Sequence, residues 1–332
     1  MARFKIAMVR LSSWFAAPAL VIISSCLPAH AQVYPNRPVR VVVPQSAGGG
    51  LDVVVRLMAQ ELSQKWGQQI VVDNRPGANG IIGLEAVAKS KPDGYTILAG
   101  FPSPLTVNPH VYKTLPYDTF RDFAPITQLV TNTLLLVVNP HLPVRNVKEL
   151  VALARSRPGQ VVYGSFGIGN LTHLANELLS GETGVKMTHV PYKGETPSIT
   201  ETIAGQVMMS WATSAGAGPH IHSGRLRLLA TGAASRSTAW PDTPTMVELG
   251  YPNVQVTGWS ALLAPAGTPQ DVIERFQRDS TQYVLRPDIR EKLSAMGAEP
   301  VGSTTAAFAT FIKVEYDKWG RVVKQAGIYH SQ

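Results

Sequence analysis

Between Val39 and Trp66 an apolar strand pattern (VRVVVP) leads through three consecutive glycines, Gly48, Gly49 and Gly50, straight into an amphipathic helix pattern. That succession aims a helix N-terminus, with its unpaired N–H groups and partial positive charge, at whatever lies above the turn. Glycine leaves no Cβ to hold a ligand away. An anion is the natural occupant. The helix, from about Asp52 to Trp66, places Val54, Leu57, Met58 and Leu62 on one face, so it packs back onto a sheet.

The same alternation continues along the chain and predicts α/β layers with mostly parallel sheets. A second strand (QQIVVD), a glycine-rich turn (RPGANG), a helix through Val87 and a strand at Tyr95 to Ala99 complete a β-α-β-α-β unit. Further on, Asn146 caps a helix (VKELVALARS) with Glu149 at the capping-box position, and Pro158-Gly159 ends it. A strand (VVYGS) then runs through Gly167 and Gly169 into Asn170 and the helix LTHLANELL, repeating the strand, glycine turn and helix start. A strand at Thr188 to Pro191, a helix after Pro197 and the strand QVMMSW follow. The last third is helical over Pro269 to about Leu285, Pro287 to Met296 and Thr304 to Gln325.

About 300 residues exceed one comfortable core, so two lobes are expected. The extended stretches Phe123 to Asn139 and Val254 to Pro265 are the candidates for passing between them. This divides the chain into a leader (1–31), a discontinuous lobe I (32–132 and 257–332) and an inserted lobe II (133–256). The leader reads as an export signal, with Arg3, Lys5 and Arg10 before an apolar core and Ala29-His30-Ala31 as the cleavage pattern. Cleavage after Ala31 predicts a periplasmic protein. The alternative is lipoprotein processing at Cys26, since Ile23-Ser24-Ser25-Cys26 resembles a lipobox.

Cys26 is the sole cysteine, which leaves no disulfide and no thiolate metal site. Without the leader, 27 basic residues stand against 22 acidic ones, a net charge of +5. That suits an anionic small ligand, and no basic run with interleaved aromatics points to nucleic acid. No stretch after the leader is long enough to cross a membrane.

Nucleophilic catalysis finds no G-x-S-x-G elbow and no usable cysteine. The histidines offer no H-E-x-x-H or comparable metal spacing, and His220 and His222 stand two apart. A dinucleotide site is the enzymatic alternative, with Asp73 about twenty residues after the first turn as the ribose-binding acid. Against it, the glycines are consecutive (PQSAGGG) instead of spaced G-x-G-x-x-G, and no twin arginine precedes the apolar leader. Binding without chemistry is the stronger reading: two helix N-termini facing one cleft grip a carboxylate by backbone N–H groups, with no cofactor and no metal.

A series of segments resembles the Bug-type solute-binding proteins, the extracytoplasmic receptors of tripartite tricarboxylate transporters. They are YPNRPVRVVVPQSAGGGLD, VVDNRPGANGIIG, KPDGYTIL, LPYD, VYGSFGIGNLTHLANELL, VPYKGETPSI, GPHIHSGRLRLLA, WPDTPTMVELG and APAGTP, in order from about Tyr34 to Gly327. The resemblance implies an α/β two-lobed periplasmic-binding-protein fold (type II-like): two mixed, mostly parallel sheets joined by two hinge strands, closing on a small carboxylate. It implies a monomer without enzymatic activity that hands its ligand to one large and one small transmembrane subunit. A ligand sensor for a signalling system is the alternative role. The site residues so implied are Pro44, Gln45, Ser46, Ala47, Gly48 and Gly49 on the first loop, and Ser103. On the second loop and its helix they are Ser165, Phe166, Gly169, Asn170 and His173, joined by Tyr192, Lys193, Trp211, Ala212 and Thr213. Asp52 stands where such receptors carry an aspartate, read here as a first-turn cap.

Departures from that pattern narrow the ligand. Gln45 and Ala47 replace an aromatic and a proline, Met208 and Ala212 replace two acidic residues, and Phe166 and Ile168 stand where small polar residues are common. A ligand with one carboxylate and an apolar or aromatic body is expected, with Trp211 and Phe166 stacking on it or lining its sides.

Overall fold

The computed structural model describes Met1 and residues 34–331; the proposed export signal, its cleavage after Ala31 and the alternative at Cys26 lie outside the described residues. Strand β1 (Val39–Val43) leads into helix α1 (Gly50–Trp66), which ends on Gly67 in the left-handed conformation, φ 64°. Strand β2 (Ile70–Asn74), a 3-10 turn (Ala78–Gly80), helix α2 (Ile81–Ala88) and strand β3 (Thr96–Gly100) complete the first unit. A π-turn (Ser103–Val107) and the short helix α3 (Asn108–Val111) precede the 16-residue strand β4 (Phe123–Val138).

The middle comprises α4 (Val147–Ser156), β5 (Val162–Ser165), α5 (Leu171–Thr183), β6 (Thr188–Pro191), α6 (Glu195–Ala204), β7 (Met209–Thr213), α7 (Ser214–His222) and β8 (Arg227–Thr231). Then come β9 (Thr257–Pro265), α8 (Gln270–Val284), α9 (Pro287–Ala295), β10 (Ala298–Pro300) and α10 (Thr305–Gln325). The α4 cap is as expected, with Asn146 Oδ1 accepting from the Glu149 amide at 2.9 Å. Glu149 reaches back one residue further than in the usual box, to the Arg145 amide at 2.7 Å.

The strands follow the order β2-β1-β3-β9-β4-β7-β5-β6, with β8 and β10 also on β4. One strand ties the two halves of this curled sheet together. Residues Phe123 to Thr133 of β4 run antiparallel to β9, whereas Leu134 to Val138 pair with β7 and β8. The parallel pairs β1–β2 and β1–β3 lie in the first half, and β5–β6 and β5–β7 in the second.

Both faces of each half are covered, so alternate residues enter different cores. Val39, Val41 and Val43 pack with α1 and α8, while Val42 packs with α2 and the start of α10. In the second half Leu134, Leu136 and Val138 share a core with Tyr163 and Trp211, and Leu135 and Val137 share one with Ile199 and Ala212. Helix α10 serves both halves: Phe308 and Ile312 pack against the first, Trp319 and Val323 against the second.

Candidate functional site

Five loops at strand ends surround a cleft of about 250 Å³: Pro44–Gln45, Pro76–Gly80, Phe101, Phe166–Asn170 and Pro191–Gly194. A recess of about 50 Å³ lies beside it, sharing Gln45, Phe101, Phe166 and Asn170 and adding Ser103, Asn132, Thr213, Trp259 and Ser260. A ligand site just beyond the carboxyl ends of parallel strands is where open α/β sheets place one. Among the described residues lining these two spaces, Lys193 alone carries a full charge, and Phe101, Phe166 and Ile168 contribute apolar wall. The backbone amides of Gln45, Ala78, Asn79, Ile168 and Gly194, all in the lining, make no hydrogen bond among the described residues.

The first loop is built by its own helix. Asp52 is buried and accepts from the Gly48 amide at 2.9 Å, from Arg56 Nε at 2.9 Å and from Asn74 Nδ2 at 2.9 Å. Burial raises its pKa, but these bonds outweigh it and the carboxyl sits below its ordinary range. Asp52 therefore caps the glycine turn, as its position suggested. Gly48 has φ 81°, a conformation that favours glycine.

The second loop carries its own network. Asn170 caps α5, its Oδ1 accepting from the Thr172 amide at 3.1 Å, while Nδ2 donates to Asn79 Oδ1 at 2.9 Å. Asn79 donates onward to Asn108 Oδ1 at 2.6 Å, joining the 76–80 loop to the second loop. Beneath the loop, the Ser165 hydroxyl lies 2.5 Å from His189 Nε2, and His189 stacks on His173 with ring centroids 4.0 Å apart. His173 Nδ1 accepts from the Gly169 amide at 3.1 Å, and Tyr163 OH donates to Glu177 Oε1 at 2.9 Å. Burial, then the neighbouring His173, holds the His189 pKa down at about 4.

Of the residues expected in the site, Pro44, Gln45, Phe166, Asn170, Tyr192 and Lys193 line the cleft, and Ser103 and Thr213 line the recess. The Ser46 hydroxyl donates across to the Lys193 carbonyl at 3.4 Å. Ala47 and Gly48 are exposed, and Gly49 is buried behind the loop. Ser165, Gly169 and His173 support the loop from beneath and are not in the wall. Trp211 and Ala212 are fully buried in the two cores on opposite faces of β7, so neither stacks on a ligand. The cause is position: β7 is a central strand, and only its end, Thr213, emerges at the recess.

The helix starts also differ from expectation. Their first amides are taken by protein groups: Leu171 N–H donates to Ser103 Oγ at 3.1 Å and Gly50 N–H to Glu195 Oε2 at 3.2 Å. Sequence reasoning missed Glu195, the Pro76–Gly80 wall, Phe101, Tyr112 and Trp259. The RPGANG turn was visible as a turn at a strand end, and that was the available signal. Asp73, the acid of the dinucleotide alternative, is engaged by Arg75 at 2.8 Å and Arg40 at 3.6 Å.

Glu195 is a second buried carboxylate behind the first loop. It is buried, and its Oε1 accepts from the Thr213 amide at 2.6 Å. Burial pushes its carboxyl above the ordinary range, opposed by the bonds from Thr213 and Gly50. As the first residue of α6, it lies where the starts of α1, α6 and α7 converge.

No helix among the described residues is long and apolar enough to cross a membrane. The tripartite tricarboxylate transporter family receptor (TctC) matches residues 54–328. Protein BugT of Bordetella pertussis is 37% identical over 301 residues, 90% of this chain and 92% of that protein. The structure of Rpa4515 from R. palustris with adipate has a TM-score of 0.87 at 35% identity, over 89% of this chain and 99% of that one. The periplasmic binding protein BugD has a TM-score of 0.85 at 31% identity, over 89% and 99%. MatC (Rpa3494) from Rhodopseudomonas palustris with bound malate has 0.82 at 29%, over 87% and 100%. With the lobed sheet and the cleft at its strand ends, these likenesses make the chain a member of the tripartite tricarboxylate transporter receptors, the Bug family its segments resemble.

Proposed function

We propose that this chain is an exported periplasmic receptor, released by cleavage after Ala31, that closes lobe I (32–132 and 257–332) and lobe II (133–256) on a small carboxylate. It binds the acid unchanged, without catalysis, and delivers it to a large and a small transmembrane subunit. The ligand carries one carboxylate on an apolar or aromatic body. One observation carries this reading: a cleft whose lining combines backbone amides without a partner among the described residues, the cation of Lys193 and apolar wall from Phe101, Phe166 and Ile168. Amides and a lysine satisfy one anionic group, and the apolar wall gains by covering hydrocarbon. The adipate and malate bound by the related Rpa4515 and MatC support the carboxylate class.

The test is a thermal-shift and calorimetric screen of carboxylates, followed by mass spectrometry of the bound acid after incubation. Benzoate-, nicotinate- or hexanoate-like acids should stabilise the protein and be recovered intact. Strong stabilisation by glutamate or citrate with none from these acids would overturn the ligand class, and a recovered product would overturn the receptor.

A further inference from the structure

The Glu195 carboxyl is held by two backbone amides from distant parts of the chain. Its two oxygens take the amides of Gly50, first residue of α1, and Thr213, the residue capping α7, at 3.2 and 2.6 Å. Gly49, the residue before α1, supplies no side-chain cap, so Glu195 is the acceptor that the helix start has. These donors come from opposite sides: Gly50 from the first glycine loop, Thr213 from the inserted segment. Glu195 lines neither the cleft nor the recess and lies behind the first loop, next to Gly49. A Cβ placed on Gly49 would lie 3.5 Å from Glu195 Oε2 and 3.9 Å from Oε1 of Gln45, which lines both cleft and recess. Thr213, its other partner, lines the recess directly.

We propose that Glu195 is the specificity-determining residue of this receptor: its carboxylate fills the amide pair where a dicarboxylate would seat its second anionic end. The first anionic end has the cleft amides and Lys193; a second finds the Gly50 and Thr213 amides already taken by the Glu195 carboxyl and is disfavoured. A hydrocarbon end meets Leu51, Phe101, Leu134 and Trp259 of the recess instead. The inference rests on the cleft's being a carboxylate site and adds which acids it accepts.

Hexanoate and adipate test it, since they share a six-carbon chain and differ by one carboxylate. Calorimetry on the wild type should find adipate weaker by about a hundredfold. In Glu195→Ala the adipate-to-hexanoate affinity ratio should rise by about tenfold or more, because removing the side chain uncovers the Gly50 and Thr213 amides. Glu195→Gln keeps the size and removes the charge, and should raise the ratio by a smaller factor; it decides the matter if circular dichroism shows that the alanine variant does not fold. A ratio that stays within about threefold of wild type in the folded variants, or a wild type that prefers adipate, overturns the proposal and leaves the receptor standing. A wild type that binds neither acid nor any other carboxylate overturns both.

Discussion

Replacing Asn170 separates two contributions that one side chain makes. Its Oδ1 caps α5 through the Thr172 amide, and its Nδ2 reaches Asn79 Oδ1 across the cleft at 2.9 Å. Losing an N-cap costs about 1 kcal/mol, and losing a neutral hydrogen bond about another 1. Asn170→Ala should therefore destabilise the protein by about 2 kcal/mol. Asn170→Ser keeps a capping oxygen but is too short to reach Asn79, so it should cost about half as much. Asn170 also lines the cleft, so losing its amide should weaken ligand binding about fivefold, about 1 kcal/mol, in both variants. Urea unfolding reads the first quantity and calorimetry the second. Equal destabilisation by serine and alanine would refute the capping argument, and wild-type affinity in both would remove Asn170 from the site.

Gly50→Ala would put a Cβ 2.9 Å from Thr213 Oγ1 and 3.3 Å from Thr213 Cβ, so that seam must part. Affinity, read by calorimetry, should fall about tenfold; equal affinity would show that the seam is open in the bound form. His189, held at about 4 against an ordinary 6.5, binds its proton more readily when unfolded. Its contribution is complete above pH 6.5 and is lost as pH falls towards 4. Glu195, raised, acts with the opposite sign above its ordinary 4.5, so the wild type minus His189→Asn difference in urea midpoint, read between pH 7 and 5, isolates the histidine. A flat difference would show that burial of the His173–His189 stack does not oppose protonation. Trp211→Phe should leave benzoate affinity within about twofold, because Trp211 lies in a core; a tenfold loss by calorimetry would return it to the site.

The parts legible in the sequence were those written in backbone requirements. Positive φ at Gly48 and Gly169 marks both turns, Asn146 and Asn170 cap where they stand, and 16 extended residues between Phe123 and Val138 mark the strand shared by both halves. Trp211 was misplaced because a strand covered on both faces shows no alternation, so MMSWAT does not say which residue emerges. Only the strand's end at Thr213 answers that, and the end depends on where β7 meets β4. The 76–80 wall contributes amides, which every residue has, so its composition carried no chemical signature beyond the glycines.

Glu195 was illegible for a further reason. A glutamate opening a helix reads as first-turn dipole compensation, and locally it is that, at the start of α6. What changes its meaning is that α1 and α7 begin within hydrogen-bond reach of the same carboxylate, a juxtaposition created by strands far apart in sequence. Two backbone amides, from the start of α1 and the cap of α7, share this one buried acceptor, and each contributes favourably to a carboxylate there. A ligand end competing for the Gly50 amide must first displace an acceptor already in position.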